Sequence, residues 1–224
     1  MKHAMGHALV VFSGGQDSTT CLGWAKNRAE KVDAITFSYG QRHAVELTAA
    51  KDIAALMNVP LKVVIIDFLS SLVTSALLSD GDIAAKHPDD ASLPASFVPN
   101  RNALFLTLAH AYAQTIHADT IVAGMCETDY SGYPDCRREF IDAMERSLSL
   151  GSNKQIPIVT PLMYLTKAET FKRAETEGVL DIVIAKSHTC YEGDRSMHDW
   201  GYGCGQCPAC VLRKNGFDEF VSGK

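Results

Sequence analysis

An apolar strand that runs without a break into a glycine turn and then a helix restricts this chain more than any other feature. His7–Phe12 reads as that strand, with Ala8-Leu9-Val10-Val11-Phe12 as its apolar run. Ser13-Gly14-Gly15 is the turn, and Ser18–Arg28 has helical character. The same alternation continues: Val32–Tyr39 reads as a second strand, His43–Asn58 as an amphipathic helix and Leu61–Asp67 as a third strand, with Pro60 between the last two. Leu47, Ala50 and Ala54 share the helix's apolar face beside Val45, Ile53 and Leu56, whereas Glu46, Lys51 and Asp52 are expected to point away. Short connections in this order require right-handed crossovers and a parallel sheet.

Residues 79–102 have no clear period and carry Gly81, Pro88, Pro94 and Pro99, so a functional or mobile loop is expected there. Asn102–His117 is apolar nearly all round, as suits a helix buried against the sheet. Asp119–Met125 reads as a fourth strand, 126–138 as a second polar loop, Arg138–Leu150 as helix and Ile156–Leu162 as a fifth strand. Lys167–Gly178 reads as a helix that Gly178 stops. The expected fold is therefore α/β, a Rossmann-like parallel five-stranded sheet with helices on both faces. At Ser187 aliphatics give way to Cys, Gly, His and Trp, which divides the chain into an α/β domain, 1–186, and a small metal module, 187–224, packed on it.

The loop is placed for anion binding, because glycines let the backbone approach closely and helix-start amides favour negative charge. Ser13, Ser18 and Thr19 add hydroxyls. There is no GxxxxGK[ST] and no GxGxxG, so neither a Walker loop nor a dinucleotide fold is indicated. A bare Gly-Gly turn with a serine cap is the plainer alternative.

Cys190-x13-Cys204-x2-Cys207-x2-Cys210 supplies four thiols in the last 35 residues, with Gly201, Gly203 and Gly205 giving the chain room to fold around an ion. Four thiolates close a tetrahedral Zn²⁺ site, and one with every position filled by protein is structural. Free thiols, a redox pair and an iron–sulfur cluster are the competing readings, with His188 and His198 as substitute ligands. Cys126 and Cys136 have no evident His or Lys to activate them and are read as packing.

The net charge of −5, from 21 basic and 26 acidic residues, argues against a protein that grips nucleic acid. Arg137-Arg138 and Arg213-Lys214 read as solvated pairs. No apolar run approaches the roughly 20 residues of a membrane span, and Met1–His7 does not lead into a signal peptide. A cytoplasmic location with reduced thiols is expected.

Ser-Gly-Gly-x-Asp-Ser resembles the loop of the PP-loop ATP pyrophosphatases. Five further segments sharpen the likeness: Phe97-Val98-Pro99-Asn100-Arg101-Asn102, residues 126–137, Thr160-Pro161-Leu162-Met163 with Lys167-Ala168-Glu169-Thr170, Cys190-Tyr191, and residues 203–210. Together they closely resemble the bacterial 7-cyano-7-deazaguanine synthase family of the queuosine pathway, from about Leu9 to Phe217. One departure is a longer stretch between Cys190 and Cys204 than is usual in the family.

The resemblance implies an adenine nucleotide alpha hydrolase-like fold and an ATP-dependent ligase that turns a deazapurine carboxylate and ammonia into a nitrile. ATP would lie along Phe12, Ser13, Gly14, Gly15, Gln16, Asp17, Ser18, Thr19, Thr20, Cys21 and Leu22, with Mg²⁺ beside the pyrophosphate. Asp17, Lys167 and Arg101 are the expected catalytic residues, and Asn100, Arg101, Asn102, Glu127 and Asp129 the expected substrate contacts. Small molecules are the expected partners, with no nucleic acid and no membrane, and the family's frequent dimers make a homodimer an expectation. A sulfur-transferring PP-loop enzyme acting on tRNA and a non-enzymatic nucleotide-binding module are the alternatives.

Overall fold

Strand β1 (Met5–Val11) is the middle of a five-stranded sheet in the order β3-β2-β1-β4-β5, and every ladder in it is parallel. Its companions are β2 (Ala29–Ser38), β3 (Leu61–Ile65), β4 (Thr120–Val122) and β5 (Ile158–Val159). The computed structural model describes residues 5–40, 45–73, 75–78, 85–87, 90, 93–128 and 133–223. β1 is covered on both faces, which is why it reads as an unbroken apolar run. Ala8 and Val10 join one buried cluster and Leu9 the other.

Helices α1 (Gln16–Lys26) and α2 (Val45–Leu56) pack on one face, while the single turn α3 (Leu69–Leu72) follows β3. α4 (Arg101–Thr115) and α5 (Arg138–Ser152) cover the other face, where Leu106, Ala109 and Ile141 are wholly buried. α6 (Lys167–Thr176) returns to the face of α1. The expected five-stranded parallel sheet with helices on both faces is found. β4 and β5 are shorter than their apolar segments suggested. After Val122 the chain leaves the ladder and crosses α1 at Gly124, where a Cβ would stand 3.3 Å from Ser18 N.

Two helices carried no sequence signal that stood out from their surroundings. α7 (Leu180–Lys186) packs against α1 and α2, and α8 (Pro208–Ser222) opens with proline in its first turn. α8 shares the main core: Phe171 of α6 is fully buried, 5.4 Å from the Phe217 ring and 5.9 Å from the Phe220 ring. Phe171→Ala is expected to lower stability by about 3–5 kcal/mol in denaturant unfolding. Among the described residues no helix is long and apolar enough to cross a membrane.

Sequential strands lie to either side of β1, so the crossovers diverge there and leave a crevice beyond the carboxyl ends of β1 and β4. The glycine turn enters that crevice.

Candidate active site

Gly14 adopts φ +84°, and a Cβ there would lie 2.5 Å from Ala50 N and 2.8 Å from Glu46 O. Only glycine lets the start of α2 close on the loop this tightly. Gly15 caps α1 and leaves room for Thr189, whose Cγ2 would be 2.9 Å from an added Cβ. Ser18 Oγ donates to Gly15 O at 3.2 Å and accepts from Ser13 N at 3.2 Å, while His188 N donates to Gly14 O at 3.0 Å. The loop is thus fixed from α1, from α2 and from the C-terminal segment. Gly14→Ala is expected to destabilise the fold by at least about 1–3 kcal/mol from backbone strain alone, read as a fall in melting temperature.

The crevice is a cavity of about 310 Å³. Phe12, Ser13, Gln16, Asp17 and Ser18 line it. Both amide atoms of buried Gln16 and Asp17 Oδ1 find no partner among the described residues, and buried polar atoms of that kind call for a ligand. The far end of the expected nucleotide stretch lies elsewhere. Thr20 Oγ1 donates to Gln16 O at 2.9 Å, Thr19 is fully buried, and Cys21 and Leu22 sit in the core cluster beneath α1. Those four side chains anchor the helix and do not line the cavity.

Lys167 and Asp17 meet across the cavity, Nζ to Oδ2 2.7 Å. Lys167 opens α6 behind a capping box, with Glu169 N donating to Thr166 Oγ1 at 3.2 Å and Thr166 N to Glu169 Oε2 at 2.7 Å. Gly216 of α8 backs the same residue, since a Cβ there would lie 2.4 Å from Lys167 Cβ. Arg213, expected on a solvated face, is 1% exposed. It donates to Trp200 O at 2.8 Å, Val183 O at 2.8 Å and Thr189 Oγ1 at 3.1 Å. Burial pulls its pKa down to about 10, against the opposing charges of Asp17 and Cys210. Its neighbour Lys214 does face solvent, paired with Asp218 at 2.7 Å.

A second charged group lines the cavity. Arg101, the first residue of α4, donates to Tyr39 OH at 3.3 Å and lies 5.8 Å over the Tyr39 ring. Burial works against its charge, but Tyr39, Tyr133, Asp135 and Tyr191 outweigh it and hold the guanidinium protonated. Glu46 also lines the cavity, contrary to the helical-wheel expectation, because α2 presents its first turn end-on to the loop. Burial pushes its pKa up to about 7, with Arg101 opposing. Sequence reasoning missed Glu46 and Tyr39 as site residues and put Arg213 on the surface; Tyr133 and Tyr191 were quoted only as motif neighbours.

The other expected substrate contacts are dispersed. Asn100 is exposed at the cap position of α4 with φ 56°. Asn102 lines the cavity, but its amide group donates to Asp135 O at 3.2 Å and its backbone N to Asp135 Oδ2 at 3.0 Å, tying α4 to the turn Pro134–Cys136. Glu127 is exposed and accepts from Arg138 N at 3.1 Å, capping α5. Asp129 lies outside the described residues. Cys126 and Cys136, expected to serve packing, both line the cavity, and Cys126 Sγ also lies 3.2 Å from Leu165 O.

The sulfurs of Cys190, Cys204, Cys207 and Cys210 all lie within 4.8 Å of one another. Cys204 to Cys210 is 3.9 Å and Cys190 to Cys207 4.0 Å, close to the roughly 3.8 Å edge of a tetrahedron of thiolates about 2.3 Å from one ion. Backbone N–H groups of Cys204 and Cys207 point at Cys190 Sγ and Cys204 Sγ from 3.4 and 3.2 Å, as suits anionic sulfur. Neither histidine joins them. His188 Nε2 bonds Asp194 O at 2.8 Å, and His198 Nε2 bonds Gly203 O at 2.9 Å while stacking on Trp200. The stretch between the first two cysteines carries a small hairpin, β6 (Met197–His198) with β7 (Gly201–Tyr202).

A family model described as queuosine biosynthesis protein QueC matches residues 7–221. The chain is 55% identical over 217 residues to a 7-cyano-7-deazaguanine synthase of Wolinella succinogenes, covering 96% of this chain and 93% of that one. It is 51% identical over 218 residues to the 7-cyano-7-deazaguanine synthase of Helicobacter pylori strain Shi470, covering 96% of each. Among solved structures, a 4-thiouridine synthetase–RNA complex with bound ATP superposes with TM-score 0.50 at 18% identity, covering 95% of this chain and 53% of that one. At that identity the likeness shows the fold alone.

Proposed function

The chain belongs to the queuosine biosynthesis protein QueC family, and from that premise we propose that it joins 7-carboxy-7-deazaguanine and ammonia into 7-cyano-7-deazaguanine using ATP. It is an enzyme of that pathway, as its relatives named 7-cyano-7-deazaguanine synthase are. The supporting observation is the meeting, in one cavity, of Ser13, Gln16 and Ser18 from the glycine loop, the Asp17–Lys167 pair and Arg101.

A carboxylate does not expel oxide, so its oxygen must first be made a leaving group. In this reading the loop amides and the Ser13 and Ser18 hydroxyls hold the β,γ-phosphates, and Arg101 grips the substrate carboxylate by a two-pronged contact. The carboxylate oxygen attacks the α-phosphorus and pyrophosphate departs. Lys167 faces the charge that grows on phosphate, held in position by Asp17. Ammonia then displaces AMP to give the amide. A second ATP adenylates the amide oxygen, and loss of AMP with two protons leaves C≡N. The desolvated aromatic walls around Arg101 keep water from the adenylates.

The four thiolates suit Zn²⁺, and with all four positions filled the ion is structural. Asp17 Oδ1, buried without a partner among the described residues, suits a Mg²⁺ that would offset the charge of the pyrophosphate. The segment 187–224 acts as a brace for the nucleotide loop.

Incubation with ATP, magnesium, ammonium and the carboxy-deazaguanine, followed by mass spectrometry, tests the reaction. AMP, pyrophosphate and a nitrile one water lighter than the amide are expected. ATP consumption without nitrile, or no consumption, would overturn the proposal.

A further inference from the structure

Glu46 has no part in the steps above, yet its carboxyl lines the cavity and burial raises its pKa to about 7. Among the described residues its side chain makes no hydrogen bond or ion pair; Arg101 acts on it only through space. A half-buried carboxyl whose anion is disfavoured by its surroundings gains from any N–H donors that reach it. Three tyrosines, Tyr39, Tyr133 and Tyr191, line the same cavity, an aromatic wall of the kind that suits a flat heterocycle.

Two planar rings enter this site in the reaction proposed, and they differ in what they offer a carboxylate. Adenine sets its amino donor beside the acceptor N1, so a carboxylate meets one attraction and one repulsion. Deazaguanine sets N1–H beside the exocyclic 2-amino group, two adjacent donors that match both oxygens of a carboxylate. The opposite end of that substrate is the carboxylate for which Arg101 is suited. Within the cavity, Glu46 and Arg101 thus complement a molecule carrying two donors and one anion.

We propose that Glu46 selects the deazaguanine ring by accepting hydrogen bonds from its N1–H and 2-amino groups, an inference that rests on the reaction proposed above. The test compares 7-carboxy-7-deazaguanine with its analogue lacking the 2-amino group, in the wild-type enzyme and in Glu46→Gln. The wild type is expected to prefer the parent in kcat/KM by about a hundredfold or more, since leaving a buried polar acceptor unpaired is heavily penalised. Glu46→Gln, which replaces one acceptor oxygen by a donor, is expected to cut that preference below about tenfold through loss on the parent, with the KM for ATP unchanged.

Equal use of both compounds by the wild type sinks the proposal without any variant, so a misfolded Glu46→Gln does not shield it. An undiminished preference in Glu46→Gln also sinks it. A raised KM for ATP with an unchanged KM for the deazaguanine would put the carboxylate on the nucleotide instead. Nitrile formation by the wild type separates the two readings: its absence removes the reaction, whereas normal nitrile with any of these results removes only the role of Glu46.

Discussion

Lys167→Met is expected to reduce kcat about a thousandfold, the usual upper cost of removing one donor aimed at developing charge. Lys167 is 11% exposed in its side chain, and its position is fixed by the Thr166–Glu169 capping box and by Gly216 behind it. Such pre-set geometry is what makes a cation worth more at a reacting phosphate than in water. The same substitution strands Asp17, whose Oδ1 has no partner among the described residues, and breaking a partly buried pair costs about 3–5 kcal/mol of stability. A stability loss could therefore pass for a catalytic one. The double variant Asp17→Asn, Lys167→Met separates them: melting temperature is expected to recover while turnover stays low. Lys167→Met with wild-type kcat would take the lysine out of the chemistry.

Stripping the metal, by chelation or by Cys207→Ser, is expected to lower the melting temperature by more than about 10 °C, because binding at a four-thiolate site is folding free energy. The damage should not stop at the cysteines. Cys190 lies two residues after His188, whose N–H holds Gly14 O at 3.0 Å, and Thr189 sits against Gly15. A slackened 187–190 segment releases the phosphate loop, so the KM for ATP is expected to rise more than that for ammonium. Metal analysis should find one zinc per folded chain in a colourless protein, and a brown protein holding iron would defeat the zinc assignment. An apo protein with unaltered melting and ATP affinity would show that the segment braces nothing.

The parts of the molecule that local chemistry dictates were legible in the sequence. β1 and its glycine turn declare themselves because a doubly covered strand must be apolar throughout and a tight backbone approach must be glycine. The four cysteines declare themselves because overlapping CxxC turns have few other uses. Glu46 did not, since a wheel drawn for α2 counts it as solvent-facing and says nothing of a helix whose first turn abuts another loop. Arg213 misled for a similar reason. Beside Lys214 it resembles a surface pair, and only the fold supplies the carbonyls of Val183 and Trp200 that make its burial tolerable. Glu127, by contrast, accepts from the first backbone N–H of α5 across a loop, a contact that only the fold sets.

The brace that α8 and the thiolates give to a loop near residue 14 has a temporal side. Residues 208–222 are made long after residue 14, so for much of its synthesis the nascent chain carries a glycine turn with neither Gly216 behind Lys167 nor His188 on Gly14. In the proposed reading, activity waits until those residues are made and the four thiolates hold an ion. Under the zinc assignment proposed above, cellular supply of that ion governs how much of the protein made becomes enzyme.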